Sequence, residues 1–194
     1  VYTSAMNKAR NQLRIIGGQW RGRKLSFPEI RGLRPTPDRV RETLFNWLAP
    51  VITGARCLDL FAGSGALGLE AMSRGARQVV LVDNHSAAIK QLQANLAILQ
   101  CTTAEAVKAE AIEYLSGSAS PFDIVFLDPP YQADLLPECI QRLEQGEWLT
   151  SHAWIYLEAS AKSGLPEMPL NWTVYRSKTA GEVGYHLLQR VASA

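Results

Sequence analysis

Two short stretches carry side chains that could act on the same molecule. The first is Phe126 to Tyr131, FLDPPY, which ends an almost wholly apolar run that starts at Phe122. A buried strand that stops on an acid, two prolines and an aromatic ring is chemically pointed. Pro129 fixes its own backbone and has no N–H, so a neighbouring carbonyl can turn outward instead of joining the sheet. Asp128 and the Pro129 carbonyl then stand as adjacent acceptors, and Pro130 extends the rigid elbow. Two acceptors side by side suit the exocyclic NH2 of a nucleobase. That amine is a weak nucleophile, because its lone pair is conjugated with the ring. Hydrogen bonds from both of its N–H groups would orient it and favour a pyramidal nitrogen. Tyr131 offers a face for base stacking, worth roughly 1–3 kcal/mol. The departing proton has two possible destinations, Asp128 or water. Asp-Pro-Pro also serves as a plain strand-ending turn.

The second stretch is Asp59 to Gly68, DLFAGSGALG, in which Gly63, Gly65 and Gly68 spell GxGxxG. Glycines allow a tight turn and a close approach of backbone to ligand, and the helix that follows offers free N–H groups. Twenty residues after Gly63 comes Asp83, at the end of a second apolar segment, where a carboxylate can take both hydroxyls of a ribose. Strand, glycine loop, helix, strand and acid together indicate a cofactor that contains a nucleoside. A dinucleotide would place its pyrophosphate at the helix N-terminus. Asp59 faces that space, and a carboxylate is poorly matched to a pyrophosphate but well matched to a cation. S-adenosylmethionine (AdoMet) has an ammonium and a sulfonium and no phosphate, so Asp59 favours AdoMet over NAD. With AdoMet as donor, the acceptor pair at residues 128 and 129 would hold an amine in line with a methyl group. Catalysis would then be mainly alignment and charge complementarity, with no metal and no covalent intermediate.

These residues need a scaffold, and the chain alternates accordingly. RCLDLF, QVVLVD, EAVKAE, FDIVFLD and AWIYLEAS read as strands. ALGLEAMSRG, residues 85–99, AIEYL and ADLLPECIQRLEQG read as the helices between them, the last bent or started at Pro137. Ala88, Leu92, Leu96 and Leu99 share one helical face. Alternation of this kind predicts a parallel sheet covered by helices on both faces. Ligands of such sheets bind beyond the carboxyl ends of the strands, near the switch in strand order. After Pro169, WTVYRSK and YHLLQRV flank the turn-rich TAGEVG and predict an antiparallel hairpin at one edge.

The 194 residues suit one domain with a small appendage, and 47% hydrophobic against 20% charged residues is ordinary for a water-soluble fold. No apolar run is long enough for a membrane span, and residues 1–13 lack the apolar centre of a signal peptide. Those residues read as a disordered tail. Cys57, Cys101 and Cys139 are odd in number and far apart. They read as small buried side chains in a reducing cytoplasm and not as a disulfide or zinc framework.

The net charge of +2 conceals a division: residues 1–56 hold eleven Lys/Arg against three acids, and residues 57–194 hold nine against fifteen. A basic end on an acidic body implies a polyanion bound by one part of the molecule. Residues 14–56 form that basic extension: a Gly-rich β-like stretch, RIIGGQWRGRKLSFP, then a helix with Thr36 as N-cap, Pro37 at its first position and an inner stripe of Val40, Leu44, Trp47 and Leu48. Residues 57–194 form the cofactor-binding body.

The pairing of DLFAGSGALGLEA with DPPY resembles the class I AdoMet-dependent methyltransferases that act on exocyclic amines of bases. RIIGGQWRGRKL followed by GLRPTPDRVRETLFNWL is similar to the RsmD-type enzymes, which methylate the 2-amino group of a guanine in bacterial 16S ribosomal RNA. The likeness spans about residues 14–191. It implies an α/β, Rossmann-like class I methyltransferase fold: a seven-stranded, mostly parallel sheet with a reversed last strand, plus a small N-terminal hairpin and helix. It implies that Asp59, Phe61, Ala62, Gly63, Ser64 and Gly65 line the methionine part of AdoMet. Asp83 and Asn84 would hold the ribose side, and Glu110 and Ala111 would lie near the adenine. Glu110 stands where members often carry Asn or Asp. Asp128, Pro129, Pro130 and Tyr131 would face the guanine. Arg14, Arg21, Arg23, Lys24, Arg34 and Arg39, with Trp20 between them, become candidates for RNA phosphate contacts, which position without reading sequence. The target base would leave its stack to reach the pocket. Arg41 and Glu42 are read instead as ties between the N-terminal helix and the catalytic body. His85, His152 and His186 match no catalytic spacing.

The partner implied is 16S rRNA or an assembling small ribosomal subunit, met by a monomer in the cytoplasm, with S-adenosylhomocysteine as coproduct. Three other readings share some of these features. An adenine-directed DNA methyltransferase uses the same DPPY chemistry, an NAD-linked oxidoreductase could use GSGALG, and an RNA-binding module without activity could use the basic end.

Overall fold

The computed structural model describes residues 11–130 and 134–191. A seven-stranded sheet is built from β3 (Arg56–Asp59), β4 (Gln78–Asp83), β5 (Ala104–Lys108), β6 (Phe122–Leu127), β7 (Leu149–Ser160), β8 (Trp172–Ala180) and β9 (Val183–Arg190). Their spatial order is β5-β4-β3-β6-β7-β9-β8. The first five are mutually parallel, and the apolar central strands β3, β4 and β6 are buried on both faces, whereas β5 is a more exposed edge strand. β9 runs antiparallel to both neighbours. The terminal hairpin therefore does more than close an edge: the last strand inserts between β7 and β8 and leaves β8 outermost. Within the parallel part, order reverses between β3 and β6, so a crevice opens at their carboxyl ends.

Helices cover both faces. On one side lie α1 (Asp38–Leu48), α2 (Ala66–Ser73) and α3 (Ser86–Ile98), burying Leu44, Leu69 and Leu92 against Cys57, Leu81 and Phe126. On the other lie the short α4 (Ala111–Tyr114) and α5 (Leu136–Gln145), burying Ile140 and Leu143 against Leu58, Val125 and Ile155. Pro137 falls in the first turn of α5 and starts it, where its missing N–H costs nothing. Glu144 at the end of α5 accepts from Asn171, Trp172 and Arg190 and so ties the terminal hairpin to that helix. Among the described residues no helix is long and apolar enough to cross a membrane. Cys57 and Cys139 are buried, whereas Cys101 is only partly so; all three are free.

The N-terminal extension is a two-stranded hairpin, β1 (Gln12–Arg14) with β2 (Lys24–Ser26), followed by α1. Gln12 and Leu13 belong to β1 and Leu13 is buried, so these last residues of the stretch read as tail are part of the hairpin. Residues 1–10 lie outside the described residues.

A buried ion pair fixes this extension to the body. Glu70 of α2 is fully buried and accepts from the Gly17 and Ile16 amides at 2.8 and 2.9 Å, from Arg74 at 2.8 Å and from Arg41 of α1 at 3.4 Å. Arg41, 1% exposed, also donates to the carbonyls of Thr36 and Arg14 and to Asp38. Such a charge can be buried because its donors are matched. Arg41 thus ties α1 to the body, as its sequence position suggests; Glu42 is exposed.

Candidate active site

The site begins where β3 ends. Loop 60–65 must turn from a central strand into α2 within a few residues. Gly63 and Gly65 do this at φ +53° and +83°, in the left-handed region that side chains resist. The loop is pinned by Ala62 N–H to the Val82 carbonyl and by Gly63 N–H to the Asp83 carboxylate at 2.9 Å. The second Asp83 oxygen accepts from the His85 amide at 2.8 Å, so this acid holds the glycine turn as well as marking the end of β4. Phe61 is partly exposed, whereas Ala62, Ser64 and Gly65 are buried.

Asp59 is 2% exposed, and its Oδ2 accepts the Gly68 N–H at 2.9 Å. That amide belongs to the first turn of α2, so the protein's own carboxylate occupies the position a pyrophosphate would need. Burial pushes the Asp59 carboxyl up to about 7, the Gly68 hydrogen bond opposes this, and the Asp83 charge adds to it. A group raised this way is stabilised as an anion when a cation sits beside it. The donor set therefore fits the ammonium and sulfonium of AdoMet and does not fit a dinucleotide. Farther along the strand ends, Asn84 donates to Glu110 at 3.0 Å, both of them exposed, and Ala111 is buried at the start of α4. This brings residues 83–84 and 110–111 to one rim.

β6 lies beside β3 with Phe126 level with Asp59, and the Leu60 amide donates to the Phe126 carbonyl at 3.2 Å. Asp128 consequently emerges next to the glycine loop. It sits with Pro129 and Pro130 at the mouth of a cleft of about 400 Å³ that Leu136, Glu158 and Leu165 also line. Burial raises the Asp128 carboxyl well above the usual carboxylate range, helped by the charges of Glu158 and Asp59, while a hydrogen bond from Thr36 pulls it down. Tyr131 lies outside the described residues.

Several side chains around this corner are missing from the sequence reading. Thr36, read there as an N-cap, is buried one residue before the helix cap at Pro37, and its side chain lies close enough to Asp128 to lower that carboxyl. Pro37 accordingly precedes the helix and is not its first residue. Leu33, from the same segment, reaches the loop so closely that a Cβ on Gly63 would meet it at 2.6 Å. Glu158 on β7 joins the cleft, with its Oε1 accepting from the Tyr156 hydroxyl at 2.7 Å. The one available signal for Glu158 was a carboxylate inside the otherwise apolar strand AWIYLEAS.

The basic candidates spread over the extension. Arg14, Arg21, Arg23, Lys24, Arg34 and Arg39 are all exposed. Arg14 pairs with Asp38 at 3.2 Å and Arg23 donates to the Ile98 carbonyl at 3.3 Å. Trp20 is partly buried and packs against the core, so it is not a free plate between arginines. His85 and His152 are exposed, and His186 shares a hydrogen bond with Ser177.

Comparison with known proteins agrees with this architecture. Ribosomal RNA small subunit methyltransferase D of Escherichia coli is 55% identical over 181 residues, which cover 93% of this chain and 91% of that protein. A solved Escherichia coli structure bearing the name yhhF superposes with a TM-score of 0.89 at 51% identity, covering 94% of this chain and all of the other. The fold extends to SMU.776, solved with SAH, at a TM-score of 0.67 and 14% identity. The family described as Conserved hypothetical protein 95 matches residues 13–189, and this chain belongs to it.

Proposed function

We propose that the protein transfers the methyl group of AdoMet to the exocyclic 2-amino group of a guanine in small-subunit ribosomal RNA. One observation carries the reading: Asp59 with its glycine loop and Asp128 with its proline elbow lie at the carboxyl ends of two adjacent strands. The relatives' shared name, ribosomal RNA small subunit methyltransferase D, supports the substrate class. Asp59 would face the ammonium and sulfonium, Asp83 with Asn84 the ribose, and Glu110 with Ala111 the adenine. AdoMet supplies an electrophilic methyl carbon when bound. Asp128 and the Pro129 carbonyl accept the two N–H groups of the amine and aim its lone pair. As the nitrogen–carbon bond forms and the sulfur–carbon bond breaks, one amine proton leaves to Asp128 or to water. Alignment accounts for most of the rate.

Residues 57–194 form the catalytic body in this reading, and residues 14–56 bring RNA to it through exposed Arg21, Lys24, Arg34 and Arg39. The protein acts in the cytoplasm as a monomer, on 16S rRNA or an assembling subunit. Asp59 at the α2 N-terminus argues against the NAD alternative.

Incubation with labelled AdoMet and under-methylated small-subunit RNA or particles should yield 2-methylguanine. A digest containing only methyladenine would overturn the base assignment. Asp128→Ala should lose turnover and retain AdoMet binding; unchanged turnover would remove Asp128 from the mechanism.

A further inference from the structure

The acceptor pair at residues 128 and 129 explains why an amine is held, but not which base presents it. DPPY serves adenine and guanine amines equally. The two bases differ one atom away. Guanine carries a ring N1–H beside its 2-amino group, so two donors are adjacent; adenine has an acceptor, N1, beside its 6-amino group. Choosing guanine therefore requires a second acceptor next to the one that holds the amine.

The sheet provides one. β6 and β7 are parallel, with Leu127 level with Leu157, so Asp128, just past the end of β6, lies beside Glu158 near the end of β7. Neighbouring strands lie about 4.8 Å apart, and two carboxylates at that spacing come within one hydrogen bond of each other. Both side chains line the same cleft. Glu158 is not an ion-pair residue: among the described residues no salt bridge reaches it or Asp128. Its orientation is nevertheless set, because the buried Tyr156 hydroxyl donates to Oε1 at 2.7 Å. Glu158 is half-buried, has no cation and shares a hydrogen bond with Asp128, so one proton satisfies the pair at rest and two adjacent donors of a ligand could satisfy it in that proton's place.

We propose that Glu158 selects guanine by accepting the ring N1–H while Asp128 and the Pro129 carbonyl hold the adjacent 2-amino group. The inference rests on the reading of the site as a guanine 2-amino methyltransferase and adds the residue that makes it specific. Adenine would direct its N1 lone pair at the Glu158 carboxylate and be rejected. Glu158 is a specificity-determining residue here, and the methyl transfer itself proceeds on the amine.

The test compares guanine with 2-aminopurine, which keeps the 2-amino group but has no N1–H. Small-subunit RNA, or particles reconstituted from it, would carry either base at the position that the wild-type protein labels. The full-length wild type should prefer guanine in kcat/KM by at least about tenfold and on the order of 100-fold, the range for losing a hydrogen bond to a charged acceptor. Glu158→Gln, whose amide can donate to an N1 lone pair, should bring the two bases within about threefold of each other, and Glu158→Ala should do the same at lower overall rate. AdoMet binding by both variants should stay within about threefold of wild type. A purely structural role would lower both rates and leave the ratio unchanged. Equal rates on the two bases by the wild type would overturn the proposal without any variant, as would a wild-type ratio preserved in Glu158→Gln or Glu158→Ala. If the wild type makes no 2-methylguanine at all, the reading of the reaction fails, and that outcome is distinct from a failure of base selection.

Discussion

Asp59 offers the sharpest quantitative test, because in the proposed site one buried carboxyl would link fold stability to cofactor binding. It is 2% exposed, and burial lifts it from its ordinary 3.8 to about 7. The unfolded chain releases this proton near 3.8 and the folded chain holds it to about 7. The folded state therefore binds more protons in between, and stability falls as pH rises through that window. At 1.36 kcal/mol per pKa unit, the loss at pH 8 is about 4 kcal/mol. Asp59→Asn removes the titration. Its amide oxygen can still accept from Gly68, but its NH2 then meets the Phe61 amide that now donates to the carboxylate, at a cost of about 1–3 kcal/mol. The variant should thus be roughly 1–3 kcal/mol more stable than wild type at pH 8 and within about 1 kcal/mol of it at pH 5. Asp83, Asp128 and Glu158 also face this corner, so the variant-minus-wild-type difference in urea denaturation, and not the wild-type curve alone, isolates Asp59. The same carboxylate should favour a cationic ligand only when ionised. AdoMet affinity by calorimetry should rise up to tenfold per pH unit between 5.5 and 7 and be much weaker and flat in Asp59→Asn. Parallel stability curves for the two proteins from pH 5 to 8, or undiminished AdoMet affinity in the variant, would refute the reasoning.

Two other perturbations probe the attachment and charge of the N-terminal extension. Arg41→Met leaves the fully buried Glu70 without one of its two cations and should cost about 3 kcal/mol in urea denaturation, the low end for breaking a buried pair because Arg74 and two amides remain. A loss under about 1 kcal/mol would show that the tie is ornamental. Arg21→Glu should weaken RNA binding without changing AdoMet affinity and lower the slope of log K against log salt by about one or more. An unaltered slope would strike Arg21 from the RNA contacts.

Local order and residue type determined much of this protein. The five runs that alternate with helices read as parallel strands, and they are; four of them carry buried residues, whereas β5 lies at the sheet edge with none. Gly63 and Gly65 announced a turn that only glycine makes easily, and the acids ending β3, β4 and β6 announced where the crevice would lie. The DPPY corner and the RPT…DRVRETLFNWL block narrowed the family. Those signals sit within a few residues of one another along the chain, so their meaning does not depend on distant packing.

What only the tertiary structure decided depends on long-range pairing. The insertion of β9 between β7 and β8 is a choice of hydrogen-bond partner that a hairpin pattern cannot specify. Thr36 looked like a helix cap because Pro37, a good first helical residue, follows it; the fold instead sets it near Asp128, 92 positions away. Glu70 has Arg74 as a local i+4 partner on its own helix, but Gly17 and Arg41 reach it from two distant segments that only the fold brings in. Glu158 comes beside Asp128 only because β7 lies against β6 in that register. In each case the side chain's chemistry was written in the chain, but its partner was supplied by the sheet.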